Sequence, residues 1–98
     1  MKKEQSIKCE IIYTDGRTEE TKPKNGKWFT LEEMQEIVGG LIELVHLRQG
    51  NRYMVVNEEG KVNDLPYNEV ATTIFANNHD IDDIIVGNVL ICPSKMIK

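Results

Sequence analysis

Polar and apolar positions change their period along this chain, and each change marks an element. Residues 6–13 read Ser-Ile-Lys-Cys-Glu-Ile-Ile-Tyr. Ile7, Cys9 and Ile11 alternate there with Ser6, Lys8 and Glu10, the period of two expected of a half-buried strand, whose successive side chains leave opposite faces. Asp15-Gly16 follows, a pair that tolerates the positive φ of a tight hairpin. Thr18 to Lys22 is then a return strand, so polar that it belongs at a sheet edge, where Lys22 and Pro23 discourage further pairing. Pro23-Lys24-Asn25-Gly26 makes the next turn.

The period lengthens at Thr30. Thr30-Leu31-Glu32-Glu33 fits a capping box, in which the threonine hydroxyl and the Glu33 carboxylate each accept a backbone amide proton that the first helical turn leaves free. Leu31, Met34, Ile37 and Val38 fall on one face; Glu32, Gln35 and Glu36 look outward. Phe29 packs back onto the first turn, and Gly39 supplies a left-handed terminus. A helix of about eight residues does not persist alone in water, so its apolar face must dock on a sheet.

Leu41 to Leu47 and Arg52 to Val56 read as two strands joined by Arg48-Gln49-Gly50-Asn51. Asn57-Glu58-Glu59-Gly60 is expected to turn the chain back through Lys61 and Val62, completing a meander. Asn68 is a plausible cap for a second short helix over Glu69 to Ala76, with Val70, Ala71 and Ile74 sharing a face. Ile84 to Cys92, nearly all apolar and β-branched but interrupted by Gly87-Asn88, reads as one bent strand or two short ones, running through the sheet centre. The expected fold is α+β: a single domain over residues 1–98, with a mostly antiparallel, twisted sheet of about five or six strands and two short helices.

Composition narrows the function classes. With 98 residues, 40% of them apolar and 29% charged, the chain is neither core-less nor a membrane protein. It shows no apolar run of the roughly 18–20 residues that cross a bilayer and no secretion-signal pattern at its start, so a cytoplasmic location is expected. The net charge of −4 and pI near 5.1 argue against sequence-independent nucleic-acid binding, which requires a basic face. Cys9 and Cys92 lack a short-spaced partner and read as reduced, buried apolar residues; a disulfide between them requires the first and last strands to be neighbours.

Phe29-Thr30-Leu31-Glu32-Glu33-Met34-Gln35-Glu36-Ile37-Val38-Gly39-Gly40-Leu41-Ile42-Glu43, then Val55-Val56-Asn57-Glu58-Glu59-Gly60-Lys61, Leu65-Pro66-Tyr67-Asn68 and Ile84-Ile85-Val86-Gly87-Asn88-Val89, resemble in ordered succession the domain of unknown function 3846 (DUF3846). The resemblance spans roughly residues 29 to 91. It implies a small bacterial accessory protein, often carried by phages, prophages or conjugative plasmids, and brings no known reaction. Asn88 stands where an aspartate is common in that family.

Candidate chemistry is sparse. Asn57, Glu58, Glu59, Asn63 and Asn68 flank Leu65-Pro66, and with Tyr53 and Tyr67 they can hydrogen-bond and stack on a nucleotide-like ligand; the same residues equally make turns and caps. Trp28 and Phe29, beside the lysines at 22, 24 and 27, can receive an anion or a peptide, or simply close the core beneath the helix. His79-Asp80-Ile81-Asp82-Asp83 lacks the ligand alternation of a calcium loop, so no metal is expected. Glu43 and His46 point to opposite faces of their strand and form no acid–base pair. Ser6 and Ser94 lack nucleophile surroundings. The sequence therefore points to a non-catalytic interaction module with a protein partner and no cofactor, docking through a sheet edge or the acidic face near Glu58 and Glu59. The alternative is a binder that sequesters a nucleotide signal used in antiphage defence.

Overall fold

The computed structural model describes residues 9–80 and 82–97. The first hairpin forms as its Asp-Gly turn requires: β1 (Cys9–Ile12) pairs antiparallel with β2 (Thr18–Thr21), and Gly16 takes φ +95°. Residues 6–8 of the expected first strand lie outside the described residues. After the Pro23–Gly26 turn, α1 (Leu31–Val38) opens on the capping box. Thr30 Oγ1 accepts from Glu33 N at 3.1 Å and Glu33 Oε1 accepts from Thr30 N at 2.8 Å. Gly39, at φ +83°, donates to Gln35 O and closes the helix. Phe29 and Met34 are buried in one cluster, the staple expected of residues just before the cap and one turn into the helix.

Three further strands complete the sheet: β3 (Ile42–Leu47), β4 (Arg52–Asn57) and β5 (Val89–Pro93). The order is β2-β1-β5-β4-β3, every pair antiparallel. Alternation along the two inner strands sends side chains to both faces. Val55, Leu90 and Cys92 join Met34 and Val38 beneath α1, while Met54, Val56, Val89 and Ile91 join Ala71 and Phe75 of α2 (Glu69–Asn78). The two helices therefore cover opposite faces, which is why the chain's final strand reads as an unbroken apolar run. A short 3-10 turn, Ser94–Met96, follows.

Two local expectations are overturned. The chain does not return through Lys61 and Val62 as a strand; residues 61–64 form a turn, Val62 is 85% exposed, and the segment crosses to α2. Asn57 Oδ1 accepts from Glu59 N, and Leu65 N donates to Gly60 O, so local bonds direct the chain away from the sheet. Leu31 shares the angular face of Val38 but is 53% exposed, because helical periodicity fixes direction and not how far the sheet extends underneath. Of the two forms expected for Ile84 to Cys92 the divided one is nearer: the run breaks at Gly87 (φ +81°), β5 begins at Val89, and before it Val86 makes an isolated bridge to Tyr67.

Asn68 connects these parts. It is fully buried, accepts from Ala71 N at 3.0 Å to cap α2, and donates through Nδ2 to Gly87 O (2.8 Å) and Ile12 O (3.1 Å). Asn88 Oδ1 accepts from Thr14 N at 3.1 Å. An amide or a carboxylate oxygen can fill that role.

Candidate functional site

The site is best built from β3, the strand at one end of the sheet order. Glu58 N donates to Leu41 O at 2.8 Å, one step beyond the Ile42–Asn57 pair, so Leu41 aims its backbone groups at β4's side. Antiparallel ladders alternate hydrogen-bonded with non-hydrogen-bonded pairs. Glu43, Val45 and Leu47 thus face β4, and Ile42, Leu44 and His46 present N–H and C=O to the outer edge. The His46 carbonyl is met there by His79 Nε2 at 2.9 Å, a contact in which that ring nitrogen carries the proton. The His79 ring, stacked on Phe75, closes the His46 end of the edge. Among the described residues nothing bonds to the outward groups of Ile42 and Leu44.

A groove flanks this edge on each face. On the α1 side, a groove of about 460 Å³ is lined chiefly by Trp28, Leu31, Met34, Ile42 and Leu44. On the α2 side, a cleft of about 520 Å³ has Val45, Val56, Phe75 and Ile85 in its walls and Glu43, Glu58, Lys61 and Asp83 among its polar groups. Lys61 Nζ lies 2.6 Å from Asp83 Oδ1, and that hydrogen bond, with a second from Ile84 N, holds the Asp83 carboxyl below its ordinary range. Lys61 is therefore already paired, and among the described residues neither Glu43 nor Glu58 has an ion-pair partner. The cleft rim is acidic.

The residues singled out in the sequence are distributed over several places. Asn57 and Glu58 border the α2-side cleft, and Trp28 lines the α1-side groove. Asn57 is itself engaged internally, donating to Val38 O at 3.1 Å and accepting from Glu59 N at 2.8 Å. Asn68 is buried as a cap. Tyr53 lies on the α1 face, edge-on to His46 with centroids 5.3 Å apart. Glu59 and Asn63 are exposed on the turn after β4, and Tyr67 bridges Val86. Neither of the two grooves beside β3 is lined by both polar loops and both tyrosines. Among the described residues no group of three or more His, Cys, Asp or Glu side chains could hold a metal ion. No helix is long and apolar enough to cross a membrane.

Ile42 and Leu44 were not singled out in the sequence, and Glu43 was weighed only as half of an acid–base pair with His46, because an apolar strand looks the same whether it lies inside a sheet or at its border. The available signal was negative: β3 carries neither the lysine nor the proline that usually protect an edge.

Comparison with known proteins agrees with the resemblance noted in the sequence and lengthens it. The profile of the family described as Domain of unknown function (DUF3846) matches residues 9–96, so the chain belongs to that family, and the match takes in the β1–β2 hairpin as well as the helices. Neither the curated proteins nor the solved structures contain a match.

Proposed function

We propose that this DUF3846 member is a non-catalytic interaction module that binds a protein partner through the outer edge of β3 and the acidic rim beside it. The single observation that supports this most is the edge itself: outward-facing backbone groups at Ile42 and Leu44 that no described residue bonds to, bordered on both faces by grooves. The opposite edge differs in kind. β2 is the exposed run Thr18-Glu19-Glu20-Thr21, with no apolar side chain to anchor a partner. A bacterial, mobile-element and cytoplasmic setting is part of the same reading and rests on the family resemblance.

A photo-crosslinking amino acid placed at position 44 tests it. In a lysate of the source cell it should capture one partner protein in stoichiometric yield, lost when Glu43 and Glu58 are changed to lysine, whereas the same label at position 19 should capture none. Equal capture at both positions, or none at either, rejects the module.

The nucleotide-signal reading has one observation in its favour, since 520 Å³ lies within the range of about 300–1,000 Å³ typical of small-ligand clefts. Against it stands the rim, where Glu43 and Glu58 would repel phosphates and the charge of Lys61 is already met by Asp83. A thermal-shift panel of nucleotides and cyclic dinucleotides separates the two. A ligand at 100 times its Kd adds about 2.7 kcal/mol of stability, and such a rise would replace the protein-partner reading.

A further inference from the structure

We propose that the β3 edge is a strand-addition site for an extended segment of a partner protein in which apolar residues alternate with lysine or arginine. This rests on the interaction-module reading and specifies the occupant.

The backbone sets the geometry. An added antiparallel strand lies about 4.8 Å from its neighbour, with alternate side chains on opposite faces and same-face neighbours about 7 Å apart. Ile42 and Leu44 point their N–H and C=O outward and their side chains toward the α1 face, where Ile42 belongs to the cluster beneath the helix. Residues of the incoming strand that form hydrogen-bonded pairs with Ile42 and Leu44 share that face. They enter the groove beside Trp28, Leu31 and Met34, which takes apolar side chains. Leu31 and Leu44, 53% and 40% exposed, become covered. The intervening residues project to the α2 face, where Glu43 and Glu58 wait without cationic partners among the described residues. Opposite charge at that position is favourable and like charge is not. The pattern required is therefore apolar and basic in strict alternation.

The same charges argue against a second copy of this chain. Two β3 strands related by a two-fold axis at Leu44 would bring a second Glu43 to a rim that already holds Glu43 and Glu58. One outward carbonyl that such pairing needs, at His46, is already occupied by His79.

The probe is a fluorescein-labelled, end-blocked decapeptide alternating lysine and valine, titrated by anisotropy against the whole chain. It should bind at least tenfold more tightly than a glutamate–valine peptide, or than a lysine–valine peptide rearranged in pairs. N-methylation of its valines, whose N–H groups face β3, should abolish binding, while N-methylation of its lysines should be tolerated. Leu44→Pro should weaken binding at least tenfold and keep the fold, since the N–H it removes points away from β4. If Leu44→Pro does not fold, the methylated peptides carry the test without altering the protein. Equal affinity for the lysine and glutamate peptides, or equal tolerance of methylation at both positions, overturns strand addition. A concentration-dependent dimer in sedimentation equilibrium, abolished by Leu44→Pro, overturns the choice of occupant. Failure of the peptide with crosslinking from position 44 retained rejects strand addition and leaves the module standing; loss of both rejects both.

Discussion

Replacing Asn68 by alanine isolates the one polar side chain on which three parts of the fold meet. The substitution removes the cap acceptor for Ala71 N and both donors of Nδ2. Loss of an N-cap costs about 1 kcal/mol. The Gly87 carbonyl, in a buried residue, then loses its donor, at about 1–3 kcal/mol for a stranded buried group. The Ile12 carbonyl lies in the β1–β5 ladder and counts for less. The sum is about 2–4 kcal/mol, against a total of about 5–15 kcal/mol for a domain of this length. At about 4–8 °C per kcal/mol for so small a domain, Tm should fall by roughly 10–30 °C. Urea unfolding followed by far-UV circular dichroism should show a lower midpoint with an unchanged slope. Asn63→Ala, on an exposed turn, should stay within about 0.5 kcal/mol of the parent. If Asn68→Ala also stays within about 0.5 kcal/mol, Asn68 does not join α2, β1 and the Gly87 segment in the way argued.

Two other predictions concern ionisable groups. Backbone N–H groups of Thr30 and then Lys24 hold the Glu33 carboxyl below its ordinary value of 4.5. A carboxylate shifted down contributes stability above its unfolded pKa and loses it as pH falls through the folded one. Stability should therefore decline below about pH 4.5 more steeply in the parent than in Glu33→Gln, as read from urea midpoints between pH 6 and 3; parallel curves would contradict the capping role. Burial pushes the Cys92 thiol up to about 12 and raises Cys9 as well. Both should react with an aromatic disulfide reagent at pH 8 at least 100-fold more slowly in the native protein than in guanidinium, since the thiolate is the nucleophile. Rapid native labelling would mean that the β1–β5 seam opens.

The β1–β5 pairing also answers a conditional point from the sequence. The first and last strands are neighbours, and extending their register places Cys9 opposite Cys92. Both remain free thiols, with Cys9 Sγ 3.4 Å from Met96 Sδ. Adjacency was the necessary condition for a disulfide, and it is met without one.

Local chemistry was legible wherever one or two residues determine a backbone conformation. The Asp15-Gly16 turn, the Thr30–Glu33 box, the Gly39 stop and the Asn68 cap each involve bonds within four residues, so the sequence alone determined them, and with them the α+β class. What Asn68 does beyond its cap, bonding Ile12 56 positions away, could not be read from neighbours in the chain. Whether the chain turns back or crosses over after Gly60 was equally hidden, because a turn motif specifies a bend and not what waits to pair beyond it. The same holds for the proposed site. Alternation shows which residues share a face of β3, but only the tertiary arrangement decided that β3 would be last in the sheet, since that depends on β5 inserting between β1 and β4. Hydrophobic burial is non-directional and satisfied equally by either order; an edge that no described strand pairs, and the recognition proposed for it, come from which order the packing selected.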